Sequence, residues 1–156
     1  MPSDPTWTVR PIRQSDRPQW QILWDGYNAF YGRLGATALP AEITHALWTR
    51  FFDKDEPVYA LVAEENHRLI GFTHYLFHRS TTLIQSTCYL QDLYTEADVR
   101  RRGVGRALIE ATRARAEAAG SPRLYWQTHE TNTTAMRLYD SVAEKTGFVI
   151  YRIVIP

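Results

Sequence analysis

Residues 89–106 read YLQDLYTEADVRRRGVGR, and they join a strand pattern to a turn that opens a helix. Four arginines, two glycines and one valine fill the seven positions 100–106. The first N–H groups of a helix have no partner inside it, and the helix dipole is positive there. Arginines at this end oppose the dipole unless an anion is bound, and glycines let a backbone approach such an anion closely. The stretch therefore predicts a diphosphate-binding turn.

A different interpretation of the same turn is a solvated basic helix start with glycines that only shape the chain. Two known nucleotide motifs are excluded. No Gly-Lys-Ser/Thr follows, so the turn is not a P-loop, and only Gly103-Val104-Gly105 is present where a dinucleotide fingerprint needs three glycines.

Length and composition predict one globular domain over residues 1–156. A chain of 156 residues is too short for two sizeable cores, and 44% hydrophobic with 22% charged residues excludes disorder. The net charge of +1 argues against nucleic acid as a partner. The N-terminal residues lack a signal-peptide pattern, and no apolar run is long enough for a membrane span. We therefore expect a cytoplasmic protein without a membrane partner.

Cysteine and histidine usage also limits the chemistry. Cys88 is the only cysteine, so an intrachain disulfide is excluded, and no His/Cys/Asp spacing indicates a metal site. We expect no metal.

Periodicity predicts an α+β fold with a mixed, mostly antiparallel central sheet flanked by helices. Apolar residues alternate in the strands and recur at helical spacing in the helices. A slip of that alternation near Gln91 and Asp92 predicts a β-bulge. The predicted order is strand 6–12, a helix after Asp16, a helix after Pro40, strands 57–65, 68–78 and 82–95, helix 103–119, strand 123–128, a helix from 132 or 133 to about 145, and strand 148–155.

Four pieces of sequence, in order, resemble the GNAT superfamily of N-acetyltransferases. Arg100-x-x-Gly103-x-Gly105 matches the superfamily's Arg/Gln-x-x-Gly-x-Gly/Ala motif, and Tyr89 to Thr95 is similar to the strand before it. Asn132-x-x-Ala135-x-x-Leu138-Tyr139 resembles the later Asn-x-x-Ala-x-x-Φ-Tyr helix, where Φ is apolar, and Gly147-Phe148 resembles the start of the last strand. The resemblance covers nearly the whole chain.

Further segments resemble the histone/polyamine acetyltransferase branch. These segments are Tyr-Leu-Gln-Asp-Leu-Tyr at 89–94, Tyr125-Trp126-x-Thr128-x-Glu130-x-Asn132, and Thr146-Gly147-Phe148 followed by Tyr151-Arg152.

The resemblance implies acetyl-CoA as the cosubstrate. Backbone amides of the turn would hold its pyrophosphate, strand backbone would pair with the pantetheine arm, and two residues of the later helix would line the other side. The implied cofactor-binding residues are Leu93, Tyr94, Thr95, Arg100, Arg101, Arg102, Gly103, Val104, Gly105, Arg106, Asn132 and Ala135.

Tyr139 is the catalytic residue that the resemblance implies. A phenol held by a helix can donate a proton to the departing CoA thiolate. Taken alone, a tyrosine on an amphipathic helix is more often a half-buried packing residue.

The group that deprotonates the amine stays open. Related polyamine enzymes have a glutamate where this chain has Gln91, and an amide cannot act as a base. The candidates are Asp92, Glu130, His74, His78, His129 or a chain of water molecules. Residues that could recognise the amine are Asp25, Tyr27, Tyr31 and Glu42, although Tyr27 and Tyr31 also continue a core stripe begun by Trp20 and Trp24.

The function that follows is direct acetyl transfer from acetyl-CoA to a primary amine of a polyamine, an amino-acid-like small molecule or a protein lysine. Two alternatives remain: a CoA-binding sensor that has lost catalysis, and an anion- or nucleic-acid-binding module built on residues 100–106. The resemblance also implies a homodimer.

Tyr139→Phe tests the catalytic assignment. We expect turnover to fall sharply while affinity for CoA stays near that of the wild type, because only the proton donor is removed. Steady-state kinetics and a CoA-binding titration measure the two effects. Unchanged turnover at saturating amine would contradict the assignment.

Overall fold

The computed structural model describes residues 3–156 and confirms the α+β fold. The strands are β1 (Trp7–Pro11), β2 (Val58–Glu65), β3 (Arg68–His78), β4 (Thr87–Thr95) and β5 (Leu124–Tyr125). The helices are α1 (Arg17–Phe30), α2 (Ala41–Arg50), α3 (Val104–Ala118) and α4 (Thr133–Val142). Short 3₁₀ turns occupy Gln14–Asp16, Gly35–Thr37 and Ala97–Val99.

The five strands form one sheet in sequence order, β1-β2-β3-β4-β5. The first four pair antiparallel, and β5 pairs with β4 in parallel. A parallel pair needs a crossover connection, which α3 supplies between β4 and β5. The predicted mixed, mostly antiparallel sheet is therefore confirmed.

The β2–β3 hairpin turns on two residues. Asn66 and His67 both have positive φ, +49° and +64°, which a two-residue hairpin loop of the primed type requires. The hairpin places the long β3 in the middle of the sheet, beside β4.

Helices cover both faces of the sheet. Trp20 of α1 packs with Val62 and Phe72 on one face, and Leu108 of α3 packs with Ile70 on the other. Because successive strand residues point to opposite faces, β2 and β3 are buried on both sides and read as nearly continuous apolar runs.

The described chain falls into two compact units, one that ends at Trp126 and one over Gln127–Pro156. The first unit holds the sheet and three helices, and the second holds α4. A single domain over residues 1–156 stays a prediction.

Several predicted boundaries were wrong. The strand predicted at 148–155 is not present, because no neighbouring backbone pairs with these residues, which are exposed. Helix α4 ends at Val142 rather than near Lys145, since Ala143 is already extended. Strand β4 begins at Thr87 rather than at 82, and β5 keeps only two of the six predicted residues because it pairs only with Cys88 and Tyr89 of β4.

Leu108→Ala tests the core beneath α3. Leu108 is fully buried, so the truncation leaves a cavity and should lower the free energy of unfolding by about 2–5 kcal/mol. Leu34→Ala is the matched control, because Leu34 is 56% exposed and the same change there should stay within about 0.5 kcal/mol. Urea denaturation compares the two, and equal losses would contradict this packing.

Candidate functional site

The turn at residues 100–106 has the backbone shape that its glycines allow. Gly103 precedes the first helical residue with φ +89° and ψ 6°, a left-handed conformation that a side chain would strain. The first helical hydrogen bond runs from the N–H of Ala107 to the carbonyl of Gly103, 3.0 Å. The amides of residues 104–106 therefore come before the hydrogen bonds within the helix and lie at the positive end of the helix dipole.

The arginines of the turn differ in what they contact. Arg102 donates to Glu65 at 3.1 Å and lowers the pKa of that carboxyl to about 2. Arg100 donates from Nε to the carbonyl of Thr95, 3.3 Å, which ties the turn to the end of β4. Arg101 is exposed and contacts no charged partner among residues 3–156. The predicted anion site thus keeps at least one arginine free of protein ion pairs.

Strand β4 has an open edge next to this turn. Its partner β5 covers only Cys88 and Tyr89. From Leu90 to Thr95, no other strand in the described part of the chain pairs on that side. Leu93, Tyr94 and Thr95 therefore lie on a strand edge that is open to an extended ligand, with the carbonyl of Thr95 already accepting from Arg100. The chain then passes through the 3₁₀ turn at Ala97–Val99 into residues 100–106.

The bulge in β4 is confirmed. His74 of β3 lies opposite Asp92, but the next residue, Tyr75, lies opposite Leu90. Gln91 is the extra residue, so it has no partner on β3. A bulge re-aims the neighbouring side chains and twists the strand.

A buried chain of hydrogen bonds lies at this bulge. Trp20 Nε1 donates to His74 Nε2 at 3.0 Å, and His74 Nδ1 lies 2.9 Å from Asp92 Oδ2. Tyr27 donates its hydroxyl to Asp92 Oδ1 at 2.6 Å. All four side chains are buried, and burial together with the charge of Asp92 raises the pKa of the Tyr27 phenol.

The donor at Trp20 fixes the tautomer of His74. An indole nitrogen can only donate, so His74 Nε2 accepts and carries no proton. The proton of the neutral ring is then on Nδ1, where it is donated to Asp92. A doubly protonated His74 would break the hydrogen bond to Trp20. Both oxygens of Asp92 are thus held by neutral donors, with no cationic protein group beside them in the described residues.

A cleft of about 170 Å³ opens at the bulge. It is lined by Leu47 and Arg50 of α2, by His74 and Leu76 of β3, and by Gln91 and Asp92. Arg50 is exposed and forms no ion pair within residues 3–156. The lining of this cleft therefore includes an acidic residue of β4 and a basic residue of α2.

Several other sequence candidates are exposed side chains. Three of the candidate bases are exposed: His78, which contacts Tyr125, His129, which contacts Thr131, and Glu130. Among the candidate amine ligands, Asp25, Tyr31 and Glu42 are exposed, and Asp25 accepts from Gln21 instead. Tyr27 is a core residue, as its helical spacing predicts, and it also holds Asp92.

The second unit places three predicted site residues on one face of α4. Asn132 stands at the helix start, and Ala135 and Tyr139 follow three and seven positions later. The side chain of Asn132 does not cap the helix; its amide donates to Thr128 Oγ1 at 3.2 Å. Tyr139 is half-buried.

Sequence analysis missed the hydrogen bonds that link Trp20 to His74 and Tyr27 to Asp92. Residues 20 and 27 are two helical turns apart, so both lie on the face of α1 that meets the sheet. The helical spacing predicts that these residues are buried. Only the packing of α1 on the sheet shows which polar atoms they contact.

Two kinds of feature were not found among residues 3–156. No group of three His, Cys, Asp or Glu side chains is placed to hold a metal ion. None of the helices has the length and apolar character that crossing a bilayer requires.

Sequence comparisons match the chain to known proteins over most of its length. Residues 17–143 match the model of the acetyltransferase (GNAT) family. The D-amino-acid N-acetyltransferase HPA3 of Saccharomyces cerevisiae is 36% identical over 146 residues, covering 92% of this chain and 88% of the relative. The uncharacterized N-acetyltransferase YhfO of Bacillus subtilis is 30% identical over 150 residues, covering 95% and 97%.

Solved structures show the same fold at low identity. The aminoglycoside acetyltransferase AAC(6')-Iy, in complex with the bisubstrate analogue CoA-S-monomethyl-acetylneamine, aligns with a TM-score of 0.80 at 17% identity, and the alignment covers 96% of this chain and 99% of the other.

Cys88 should be inert in the native protein. The thiol is fully buried, and burial raises its pKa to about 11, so almost no thiolate is present at pH 8. We expect a disulfide reagent such as Ellman's reagent to react slowly with the folded chain and to titrate one thiol in denaturant. Rapid native reaction would contradict the buried position.

Proposed function

This chain belongs to the acetyltransferase (GNAT) family, and we propose that it transfers the acetyl group of acetyl-CoA directly to the primary amine of a small amino compound. The observation that carries the proposal is the buried Asp92 carboxylate, which pairs with no Lys or Arg among residues 3–156 and lines a cleft beside the open edge of β4. An ammonium ion is the ligand that such a carboxylate favours.

The family uses acetyl-CoA, and the residues of the turn fit its diphosphate. The amides of residues 104–106 and the side chain of Arg101 would hold the two phosphates. The open edge of β4 at Leu93, Tyr94 and Thr95 would pair with the amides of pantetheine as an added strand would. Asn132 and Ala135 are proposed to line the other side of the cosubstrate.

Asp92 is proposed to bind the amine and to take its proton. A protonated amine has no free electron pair and cannot attack the thioester. Of the candidate bases, His74 cannot accept a proton at Nε2 without losing the hydrogen bond from Trp20. Gln91 lines the cleft but its amide is no base. Asp92 also lines the cleft, and it is the carboxylate among the lining residues, which makes it the proposed acceptor.

Tyr139 is proposed to protonate the departing CoA thiolate, as its place in the helix motif implies. Cys88 is buried and weakly acidic, so it does not suit an acyl-enzyme. Direct transfer between the two substrates is therefore the proposed route.

The proposed amine is an amino acid or a similar small molecule. The cleft volume of about 170 Å³ suits a compact molecule. The exposed guanidinium of Arg50 would attract a substrate carboxylate and repel the second ammonium group of a polyamine. This favours amino acids over the polyamines that the sequence motifs suggest. By its name, the relative from Saccharomyces acts on D-amino acids, so both enantiomers need testing.

We further propose that the enzyme acts in the cytoplasm as a homodimer. The ordinary charge balance supports the first proposal. The family resemblance supports the second.

A thiol-release assay over an amine library tests the proposed function. With acetyl-CoA and L- or D-amino acids, polyamines, aminoglycosides or a lysine peptide, we expect free CoA to appear fastest with an amino acid. A thermal-shift panel with acetyl-CoA, CoA and DNA should show stabilisation by the first two alone. Stabilisation without thiol release from any amine would indicate a sensor, and stabilisation by DNA alone would indicate an anion-binding module.

Asp92→Asn tests the amine site. The amide keeps the size of the side chain but loses the charge and the base, so kcat/KM should fall by about 10²-fold or more. Asp25→Asn is the matched control, because Asp25 is exposed and should leave kcat/KM unchanged. A CoA-binding titration checks that the cosubstrate site is intact. Equal kcat/KM for Asp92→Asn and the wild type would contradict the proposed role.

A further inference from the structure

The exposed part of the arginine-glycine turn, residues 100–103, contains two left-handed residues. Arg101 has φ +66° and Gly103 has φ +89°, so they stand on either side of Arg102. Glycine adopts this conformation freely, whereas a residue with a side chain adopts it at a cost in free energy. Such a conformation persists only where the surrounding structure holds it. The backbone at Arg101 therefore needs support from other contacts.

Arg102 joins the turn to the end of β2. Its Nη1 donates to Oε1 of Glu65 at 3.1 Å, and its Nη2 donates to Oε2 of the same carboxylate. Nη2 also lies 3.3 Å from Thr6 Oγ1, and the Thr6 hydroxyl donates to Glu65. The side chain of Glu65 is only 17% exposed, so the pair lies against the protein. A guanidinium that engages a carboxylate through two nitrogens is fixed in direction as well as in distance.

A second ion pair holds the segment just before the turn. Arg68, the first residue of β3, donates to both carboxylate oxygens of Asp98, at 3.0 and 3.3 Å. Asp98 lies in the 3₁₀ turn Ala97–Val99, which leads into residues 100–106. The β2–β3 hairpin thus contacts the chain on both sides of Arg101. Ion pairs that act together in this way hold a segment better than one isolated surface pair does.

The carboxylate of Glu65 also limits what the side chain of Arg102 offers to a ligand. A diphosphate is attracted by positive charge, and the charges of Arg102 and Glu65 cancel at a distance. Arg101 contacts no charged partner among residues 3–156, so its charge stays uncompensated. The two neighbouring arginines therefore suit different tasks, with Arg101 facing a ligand and Arg102 fixing the backbone.

We propose that Glu65 and Arg102 are positioning residues for the cosubstrate: their ion pair holds the turn in the conformation in which the amides of residues 104–106 bind the diphosphate. The inference rests on the diphosphate site of the proposed function and adds the β2–β3 hairpin to it. A turn that is already ordered binds more tightly than one that has to be ordered first, because only the competent fraction of the molecules can bind.

The alternative role for Arg102 is direct contact with the diphosphate after release from Glu65. The two roles give opposite expectations for the carboxylate. If Arg102 binds the diphosphate directly, loss of the Glu65 charge frees the guanidinium and strengthens binding. If Arg102 acts through the backbone, the same loss weakens binding.

The test compares full-length Glu65→Gln, Arg102→Gln and the double variant. We expect each of them to raise the Kd of CoA and the KM of acetyl-CoA about fivefold, as when the competent fraction of the turn falls to about one fifth. The double variant should bind no more weakly than either single variant, because both changes remove the same contact. The kcat at saturating acetyl-CoA and the KM of the amine should stay near the wild-type values. Calorimetric titration and steady-state kinetics measure these quantities.

Glu117→Gln is the matched control for the loss of an ion-paired carboxylate. Glu117 accepts from Arg113 at 3.0 Å near the end of α3, so this variant loses a similar pair without touching the turn. Its Kd for CoA should equal that of the wild type.

A second control replaces acetyl-CoA by S-acetylpantetheine, an acetyl donor without the diphosphate. Glu65→Gln should leave kcat/KM for this donor unchanged, because the turn then has nothing to bind. A general loss of folded protein would lower kcat/KM for both donors alike.

Each outcome decides the inference. Tighter CoA binding by Glu65→Gln, or weaker binding by Arg102→Gln alone, would overturn the positioning role and assign Arg102 to the diphosphate. Equal affinities in all variants, or an equal loss with S-acetylpantetheine, would also overturn it. In these cases the wild type still binds CoA, so the proposed function stands. A wild type that does not bind CoA would overturn the proposed diphosphate site and this inference together. The titration needs no turnover, so it is decisive even if no amine is acetylated.

Discussion

A carboxylate buried away from water has to be held by hydrogen-bond donors, and Asp92 obtains both of its donors from the elements that build the sheet face. Tyr27 reaches it from α1, and His74 reaches it from β3. Trp20, two helical turns before Tyr27, holds the far side of the His74 ring. The position of α1 on the sheet is therefore coupled to the position of the Asp92 carboxylate through these hydrogen bonds.

The bulge at Gln91 gives this arrangement its opening. The cleft lies where the pairing of β3 with β4 shifts by one residue. Without the extra residue, Asp92 would continue the regular alternation of β4 and this shift would be absent. Downstream of the bulge, the same strand exposes its edge and then enters the arginine-glycine turn. One continuous stretch of chain thus connects the proposed amine site to the proposed diphosphate site.

Much of this could be predicted from the sequence because the signals are local. The sequence predicted β3 over residues 68–78, which are its observed limits, and the slip of alternation near Gln91 predicted the bulge. The left-handed conformation at Gly103 and the start of α3 after it follow from the glycines of the turn. The contacts of His74 could not be predicted in this way, since an isolated buried histidine gives no sign of its partners. Tyr27 likewise fitted both a core position and an amine ligand until packing placed its hydroxyl on Asp92.

The sequence by itself determined the class of fold, the glycine turn proposed to bind an anion and the resemblance to the family, because these depend on periodicity, on glycine conformations and on short motifs within one stretch of chain. Only the tertiary structure decided which titratable groups meet. It joined residues 20, 27, 74 and 92, which are far apart along the chain, and it left His78, His129 and Glu130 at the surface. Within residues 3–156, the segment 148–155 has neither helix nor strand structure although its residue types favour a strand, since a strand needs an edge that local sequence cannot supply.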